Sequence, residues 1–343
     1  MDIPIQNIYY LLCYAWDKLE ERDIVSVNPT DQANIIDLFS RVLVSGISHL
    51  CKKGLDRGYV FHSEETARIR GKINFTATLK RNYFSQPVMI CEYDDLSYDV
   101  LHNQILKSMV KMLINCEDVD EKVHNELVST YRRLQAIQEI VLAKKHFRLV
   151  QLHRNNLFYD FLLRVCELIW DNLLPSEDPG KSKFRDFLRD EKQMAGLFEE
   201  FVRNFYRREQ TRFSVCRENI QWDATGPDGS VPDFLPVMHT DISLISEGRK
   251  VVMDTKYYRK ALQMYYDKTS VRSGNLYQLF SYLKNLEVKG GANRNCEGIL
   301  LYPTVRYELY EQCEVQGHTI MFRTINLNQD WRSIHNDLLA IIN

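Results

Sequence analysis

Apolar residues recur at three- and four-residue intervals through the opening of the chain, the spacing of amphipathic helices. Ile5, Ile8, Tyr9, Leu12, Trp16 and Leu19 make one stripe, and Ile35, Phe39, Val42, Leu43 and Leu50 make a second, with a polar connection over 23–34 between them. Between 59 and 93 the pattern turns to strands: 60–62, 69–75 around Gly71, and 88–93 read as a small β-rich insert. Helical spacing returns over 100–114 and 122–143, and again in Leu157, Phe158, Phe161, Leu162, Val165 and Ile169, so a domain boundary is placed near residue 150. After a polar, proline-bearing link at 175–184 come a helix (Met194, Leu197, Phe198, Phe201, Val202, Phe205, Tyr206), strands over 213–222 and a hairpin. A helix built on Leu276, Leu279, Phe280, Leu283 and Leu286, strands at 298–302 and 318–326, and a closing helix from Trp331 complete the chain. That alternation predicts an α/β domain following a helical, β-bearing one.

The hairpin carries the candidate chemistry. Asp241 leads Ile242, Ser243, Leu244, Ile245 and Ser246, Glu247-Gly248 marks the turn, and Val251, Val252 and Met253 lead to Asp254-Thr255-Lys256. With the turn centred between Glu247 and Gly248, Asp241 faces Asp254 across the ladder. Lys256, two residues on, shares the face of Asp254. Ile242, Leu244, Val251 and Met253 line the other face and are expected to pack on the core, leaving the charged groups outside it. Two carboxylates this close repel unless a divalent cation lies between them, and oxygen donors suit Mg²⁺ or Mn²⁺. A lysine beside such a cation can stabilise a pentacovalent phosphate or help deprotonate the attacking water. Asp, twelve residues, Asp-Thr-Lys therefore points to metal-dependent phosphodiester hydrolysis, although an exposed hairpin with a surface ion pair has the same spacing.

The flanking helices add residues. Glu199 borders the apolar stripe of the upstream helix, whereas Glu200 falls on its far side, so Glu199 is the candidate third carboxylate. Downstream, Gln278 and Tyr282 stand four apart, one above the other on a helix flank, where an amide and a phenol can position a DNA strand without adding charge.

In chain order, Glu199, Asp241, Asp254, Lys256, Gln278 and Tyr282 resemble the PD-(D/E)XK nucleases of the RecB-like branch, with a Q-x3-Y helix. Thr240-Asp241-Ile242, the run from Asp254 to Tyr258, and Asn275-Leu276-Tyr277-Gln278-Leu279 look like the McrC family of McrBC restriction systems. So do Asn7-Ile8-Tyr9-Tyr10-Leu11-Leu12 with Tyr14-Ala15-Trp16, Asn103 with Ile105-Leu106-Lys107, Gln221-Trp222-Asp223-Ala224 and Leu300-Leu301-Tyr302-Pro303, so the resemblance covers most of the chain. One departure is that Thr240, not proline, precedes Asp241. Pro232-Asp233 spells the motif nearby, but Asp233 falls in a Gly- and Pro-bearing loop too early to pair with Asp254 and is read as a surface residue.

The resemblance implies an α+β two-domain chain. A helical/β amino-terminal domain (1–150), which docks on a partner through a β-rich finger at about 59–93, precedes an α/β PD-(D/E)XK endonuclease domain (151–343) with a central mixed sheet. It implies an Mg²⁺- or Mn²⁺-dependent endonuclease subunit of a modification-dependent restriction complex, with Asp241, Asp254 and Glu199 as metal ligands and Lys256 as a catalytic partner. The implied partners are DNA and an McrB-like hexameric AAA+ GTPase, with GTP used only through that GTPase. Arg68, Arg70 and Lys72, grouped around Gly71, are the candidate finger residues. Two alternatives stand beside this reading: a stand-alone RecB-like repair or processing nuclease, and a structural activator with little cleavage of its own.

Composition narrows the classes. The 8 cysteines are scattered without C-x-x-C spacing, and the 9 histidines without H-x3-H, which argues for reduced structural thiols and against a zinc site. His239, two before Asp241, is read as an edge or loop residue. No apolar run of membrane-spanning length and no secretory signal is seen, so a cytoplasmic protein is expected. Gly180-Lys181-Ser182 looks like the end of a P-loop, but Pro175 occupies the place of its first glycine, so nucleotide hydrolysis is not expected of this chain. A formal net charge of −2 is unlike that of free-standing nucleic-acid binders and suits DNA binding borrowed from a partner.

Overall fold

The computed structural model describes residues 3–18, 34–80, 88–153, 156–176, 178, 180–227, 229–230, 232–258, 263–265, 268–270, 272–304 and 308–343. Among them the chain forms two compact units, one of residues 34–185 and one of residues 3–18 and 186–343. Helix α1 (Ile5–Ala15) belongs to the second unit.

The unit of residues 34–185 starts with α2 (Ile35–Lys53), followed by an insert of β1 (Gly58–Thr66), β2 (Lys72–Ile73), α3 (Phe75–Lys80) and β3 (Met89–Ser97). It continues through α4 (Leu101–Ile114), α5 (Glu121–Arg133), α6 (Lys144–Leu149), α7 (Leu157–Asn172) and a hairpin of β4 (Leu173–Pro175) and β5 (Ser182–Phe184). Phe39, Val42 and Leu43 of α2, Ile105, Met109 and Val110 of α4, and Leu162, Cys166 and Ile169 of α7 are buried together as its apolar core. Gly46 lets α2 and α7 approach closely, since a Cβ there would lie 2.5 Å from Leu162 Cδ2.

The helix expected over 122–143 stops at Arg133. Beyond it a turn closes with the Ile137 amide on the Leu134 carbonyl (3.2 Å), and the main chain then bonds to side chains: Lys107 Nζ donates to the Ile137 carbonyl (2.5 Å), and the Gln138 and Ile140 amides donate to Asp99 and Ser108. These partners satisfy the backbone in an extended path, which no local propensity foretells.

In the insert, β1 and β3 pair antiparallel from Gly58↔Ser97 to Thr66↔Met89, and β2 adds to β3 at Lys72↔Glu92 and Ile73↔Cys91. The strand expected over 69–75 is thus mostly a turn, and α3 starts at Phe75 because the Asn74 carboxamide accepts the Ala77 amide (2.9 Å). Gly71 makes that turn possible: its φ is +64°, and a Cβ would collide with the Glu92 carbonyl.

The second unit is built on a six-stranded mixed sheet. After α8 (Glu191–Glu209) come β6 (Ser214–Cys216), β7 (Asn219–Ile220), β8 (Met238–His239), β9 (Ile242–Ile245) and β10 (Lys250–Thr255). Short strands β11 (Gln263–Tyr265) and β12 (Lys268–Ser270) lead to α9 (Ser273–Glu287), β13 (Glu297–Thr304), β14 (Tyr310–Val315), β15 (His318–Asn326) and α10 (Trp331–Ile341). The sheet order is β14-β15-β13-β10-β9-β6, with β10, β13 and β15 parallel and the other pairs antiparallel. Strand β14, Tyr-Glu-Gln-Cys-Glu-Val, is an exposed edge whose polar sequence gives no apolar alternation to read.

Helices cover both faces of this sheet. On one, Leu279, Leu283 and Leu286 of α9 pack on Val252, Leu300, Tyr302 and Ile320, and Gly298 admits Leu279, whose Cδ2 would lie 2.9 Å from a Cβ there. On the other, α8 meets Tyr257 through Phe198 (ring centroids 6.3 Å apart). All six residues of β10 are consequently buried.

Helix α1 is part of this unit rather than of an amino-terminal domain ending near 150. Asn204 of α8 donates to the Tyr14 and Ala15 carbonyls (3.1 and 3.0 Å), Asn7 donates to the Leu327 and Gln329 carbonyls, and Trp331 stacks on Tyr14. The compact units therefore divide the chain differently from 1–150 and 151–343: the opening helix caps the carboxyl-terminal core, and residues 156–185 complete the helical one. Among the described residues no helix is long and apolar enough to cross a membrane.

Candidate active site

The hairpin adopts the expected register. Ser246 and Arg249 close the turn (2.9 Å), and β9 pairs with β10 from Lys250↔Ile245 to Met253↔Ile242. Asp241 stands one step beyond the ladder, where its Oδ2 accepts both the Thr255 amide (2.8 Å) and the Thr255 hydroxyl (3.1 Å). The turn is fastened from outside by Arg249, which makes a two-point ion pair with Glu297 (2.7 and 2.8 Å) and donates to the Ile342 carbonyl.

Asp254 departs from expectation. The charged face was to lie outside the core, but α9 covers it, and Asp254 is 0% exposed. Lys256 Nζ donates to its Oδ1 (3.1 Å) and sits 2.9 Å from Oδ2, which has no partner in hydrogen-bond geometry. Burial, reinforced by Asp241 and opposed by Lys256, pushes the Asp254 carboxyl up to about 7. For Lys256, burial acts to lower the pKa, but the charges of Asp254 and Asp241 outweigh it and raise it, so the ammonium stays charged.

Gln278 and Tyr282 join the same group. Lys256 Nζ donates to Gln278 Oε1 (3.2 Å), and Gln278 Nε2 donates to the Tyr282 hydroxyl (2.6 Å). Gln278 is exposed, whereas Tyr282 is buried at 5% exposure, so of the two only the amide is open to a DNA strand. Burial, the largest influence, raises the Tyr282 pKa.

Glu199 stands at one remove. Its carboxylate accepts from Arg203 (3.0 Å) and pairs with Arg217, and the same Arg203 donates to the Asp241 carbonyl (3.4 Å). No group of three or more His, Cys, Asp or Glu placed to hold a metal ion occurs among the described residues, so Glu199 is not gathered with Asp241 and Asp254. Asp233 lies exposed in its loop, and His239 is an exposed strand residue against Asn219 (2.8 Å). In the insert, Arg70 stacks on Tyr93 (4.7 Å) and donates to its hydroxyl, while Arg68 and Lys72 are exposed.

Sequence reasoning assigned no role to several residues that shape this site. Thr255 fixes the Asp241 carboxylate, and Arg203, only 5% exposed, braces the Asp241 main chain. Tyr258 continues the alternation of Asp254 and Lys256 and donates to Asn275 (3.2 Å), which in turn donates to the Tyr302 hydroxyl (3.3 Å). The period of two from Asp254 was the available signal for Tyr258, whereas the Arg203 contact joins residues 38 apart and leaves no local mark.

The family model described as McrBC 5-methylcytosine restriction system component matches residues 6–303. A protein of Escherichia coli (strain K12), the type IV methyl-directed restriction enzyme EcoKMcrBC, is 33% identical over 339 residues, covering 99% of this chain and 97% of the relative. A solved chain in the half-complex from the tetradecameric assembly of Thermococcus gammatolerans McrB AAA+ hexamers with bound McrC has the same fold. That match has a TM-score of 0.63 at 16% identity over 99% of this chain and 76% of that one. With the family model spanning most of its length and a relative aligned almost end to end, this chain belongs to the McrBC 5-methylcytosine restriction system component family.

Proposed function

We propose that this chain is the endonuclease subunit of a McrBC-type, modification-dependent restriction complex and hydrolyses DNA phosphodiester bonds at the Asp241, Asp254 and Lys256 site. The observation that carries the reading is Asp254: a fully buried carboxylate, raised in pKa, facing Asp241 and ion-paired to Lys256. Purely structural carboxylates are rarely held so unfavourably, and sites of chemistry often are. Membership in the family supports the same reading.

The donor set fits a divalent cation of the Mg²⁺ or Mn²⁺ kind, because a dry carboxylate oxygen without a hydrogen bond beside a second carboxylate is relieved by a hard cation. Asp241 and Asp254 would hold it, and when bound it would supply Lewis-acid polarisation of the phosphate and activation of water. Glu199 could join as a third ligand through its second oxygen, since Arg203 and Arg217 both pair with Oε1. Thr255 orients Asp241 through two hydrogen bonds. Lys256 is held by Asp254 and Gln278 and stays protonated, so it acts as a fixed cation toward the phosphorane charge that develops as the water oxygen bonds to phosphorus and the leaving sugar oxygen departs. Exposed Gln278 would position the strand, with Tyr282 bracing its amide.

The partner in this proposal is a hexameric AAA+ GTPase that this chain stimulates, as McrC is bound to McrB hexamers in the Thermococcus assembly. A net charge of −2 and the lack of a P-loop sequence favour DNA binding and GTP hydrolysis by that partner. The insert of β1 to β3, with Arg68, Arg70 and Lys72 at its turn, is the proposed finger. The test is cleavage of methylated and unmethylated plasmid by this chain with Mg²⁺, alone and with the GTPase and GTP. Cleavage that requires the partner, GTP and an intact Asp254 is expected. Cleavage by the chain alone would replace this reading with an autonomous RecB-like nuclease, and undiminished cleavage by Asp254→Ala would remove the site.

A further inference from the structure

Arg272 precedes α9 and lies over the ring of Tyr258, its guanidinium carbon 3.8 Å from the ring centroid. Tyr258 is two residues beyond Lys256 and four beyond Asp254, so along extended chain it belongs to the face of the candidate site. The ring is not free to swing. Its hydroxyl donates to Asn275, which is 8% exposed, and Asn275 donates to the hydroxyl of the fully buried Tyr302. A hydrogen-bond chain that runs from half-buried Tyr258 into the core thus holds an aromatic platform beside the site, and the platform carries a cation.

Among the described residues Arg272 pairs with no carboxylate, and its Nε–H is shielded from solvent with no acceptor. A shielded donor without a partner is unfavourable. Stacking occupies only the face of a guanidinium, and its Nη1–Nη2 edge, apart from the shielded Nε–H, has the fork geometry that grips two oxygens of a phosphate. From Arg272 to Gln278, which touches Lys256, α9 rises by about 9 Å. A phosphate at Arg272 would therefore be a neighbour of the one being cut, within about three nucleotides along one strand.

We propose that Arg272 is a DNA-contacting residue that takes a backbone phosphate next to the scissile one, presented by Tyr258 and kept in place by Asn275 and Tyr302. The inference rests on the nuclease reading for its substrate, but it concerns binding, which can be measured apart from cleavage.

The experiment is fluorescence anisotropy of duplex oligonucleotides of two unrelated sequences with the full-length chain, without divalent cation, across a salt series. Arg272→Ala should weaken binding about tenfold for both sequences and reduce the slope of log K against log salt by about 0.9, the signature of one lost phosphate contact. Arg272→Lys should keep the slope but lose affinity, because an ammonium keeps the charge without the planar fork. Asn275→Ala, which removes the relay and leaves the charge, should lower affinity with an unchanged slope. Arg272 is only half-buried, so its variants should melt like the wild type. Wild-type affinity and slope in Arg272→Ala overturns the proposal; where the isolated wild-type chain binds no duplex, the same series is measured on its complex with the GTPase partner, and the same result overturns it there. An Arg272-dependent slope in a chain that never cleaves, even with Mg²⁺, partner and GTP, leaves the phosphate contact standing and removes the nuclease reading. Normal cleavage with an Arg272-independent slope does the reverse.

Discussion

Replacing Asp254 with asparagine should flatten the pH dependence of the metal-free chain's stability. Burial first, then Asp241, raises this carboxyl from an ordinary 3.8 to about 7, against the pull of Lys256. The folded chain therefore keeps a proton that the unfolded chain releases between those two values, so this group's contribution is most favourable below about pH 4 and is lost as the pH rises to about 7. At about 1.4 kcal/mol per pK unit, the stretch from about pH 5 to about pH 7 removes roughly 3 kcal/mol. For a unit of this size that is about 6–12 °C in melting temperature. Asparagine keeps the shape and never ionises, while Asp241, Lys256, Tyr282 and Tyr302, the titratable groups around it, remain. Urea unfolding followed by tryptophan fluorescence at about pH 5 and about pH 8, with EDTA or with Mg²⁺, reads the effect. Wild type should be the steeper of the two in EDTA, and saturating Mg²⁺ should stabilise wild type at the higher pH and leave Asp254→Asn unmoved. Equal steepness in the two proteins, or equal stabilisation by Mg²⁺, would refute the account of Asp254 as a strained carboxylate waiting for a cation.

Other variants separate the remaining roles. Glu199→Gln is expected to slow plasmid cleavage by about 10–100-fold with the fold intact, and a wild-type rate would confine Glu199 to its pairing with Arg203 and Arg217. Replacing Arg68, Arg70 and Lys72 together by alanine should lower stimulation of the GTPase partner while Mg²⁺ binding and melting of the sheet unit stay unchanged; full stimulation would remove the finger assignment. Gly71→Ala forces a side chain into a φ of +64° against the Glu92 carbonyl. The insert should lose about 1–2 kcal/mol or more, visible as faster hydrogen exchange over 58–97, and unchanged protection would show that the turn tolerates a Cβ.

Much of the sheet unit was legible because its signals are local. A hairpin's register follows from its turn, so the β9–β10 pairing and the approach of Asp241 to Asp254 could be read from Glu247-Gly248 and the apolar residues beside it. The spans of α8, α9, β13, β15 and α10 follow from periodicity in the same way. The alternation of Asp254 and Lys256 likewise placed both on one face, and the interval between Gln278 and Tyr282 placed them on one flank of α9.

Where the pattern fell short, the deciding interactions join residues far apart in the chain. A strand pattern shows which face a side chain points to, but not that α9 will close over that face, and this closure turned Asp254 from a surface carboxylate into a buried one with a raised pKa. Helix α1 reads as the start of an amino-terminal domain, yet Asn204 and Trp331, almost 200 and more than 300 residues away, hold it in the carboxyl-terminal unit. The apolar stripe of α8 put Glu199 near the sheet but could not reveal that Arg203 and Arg217 would claim it. Sequence by itself determined which groups share a strand or a helix face, because backbone geometry repeats every two or every 3.6 residues. The tertiary structure alone decided which of them are dry, which are paired and which are left facing open space, because burial and ion pairing depend on neighbours brought together only by the packed fold.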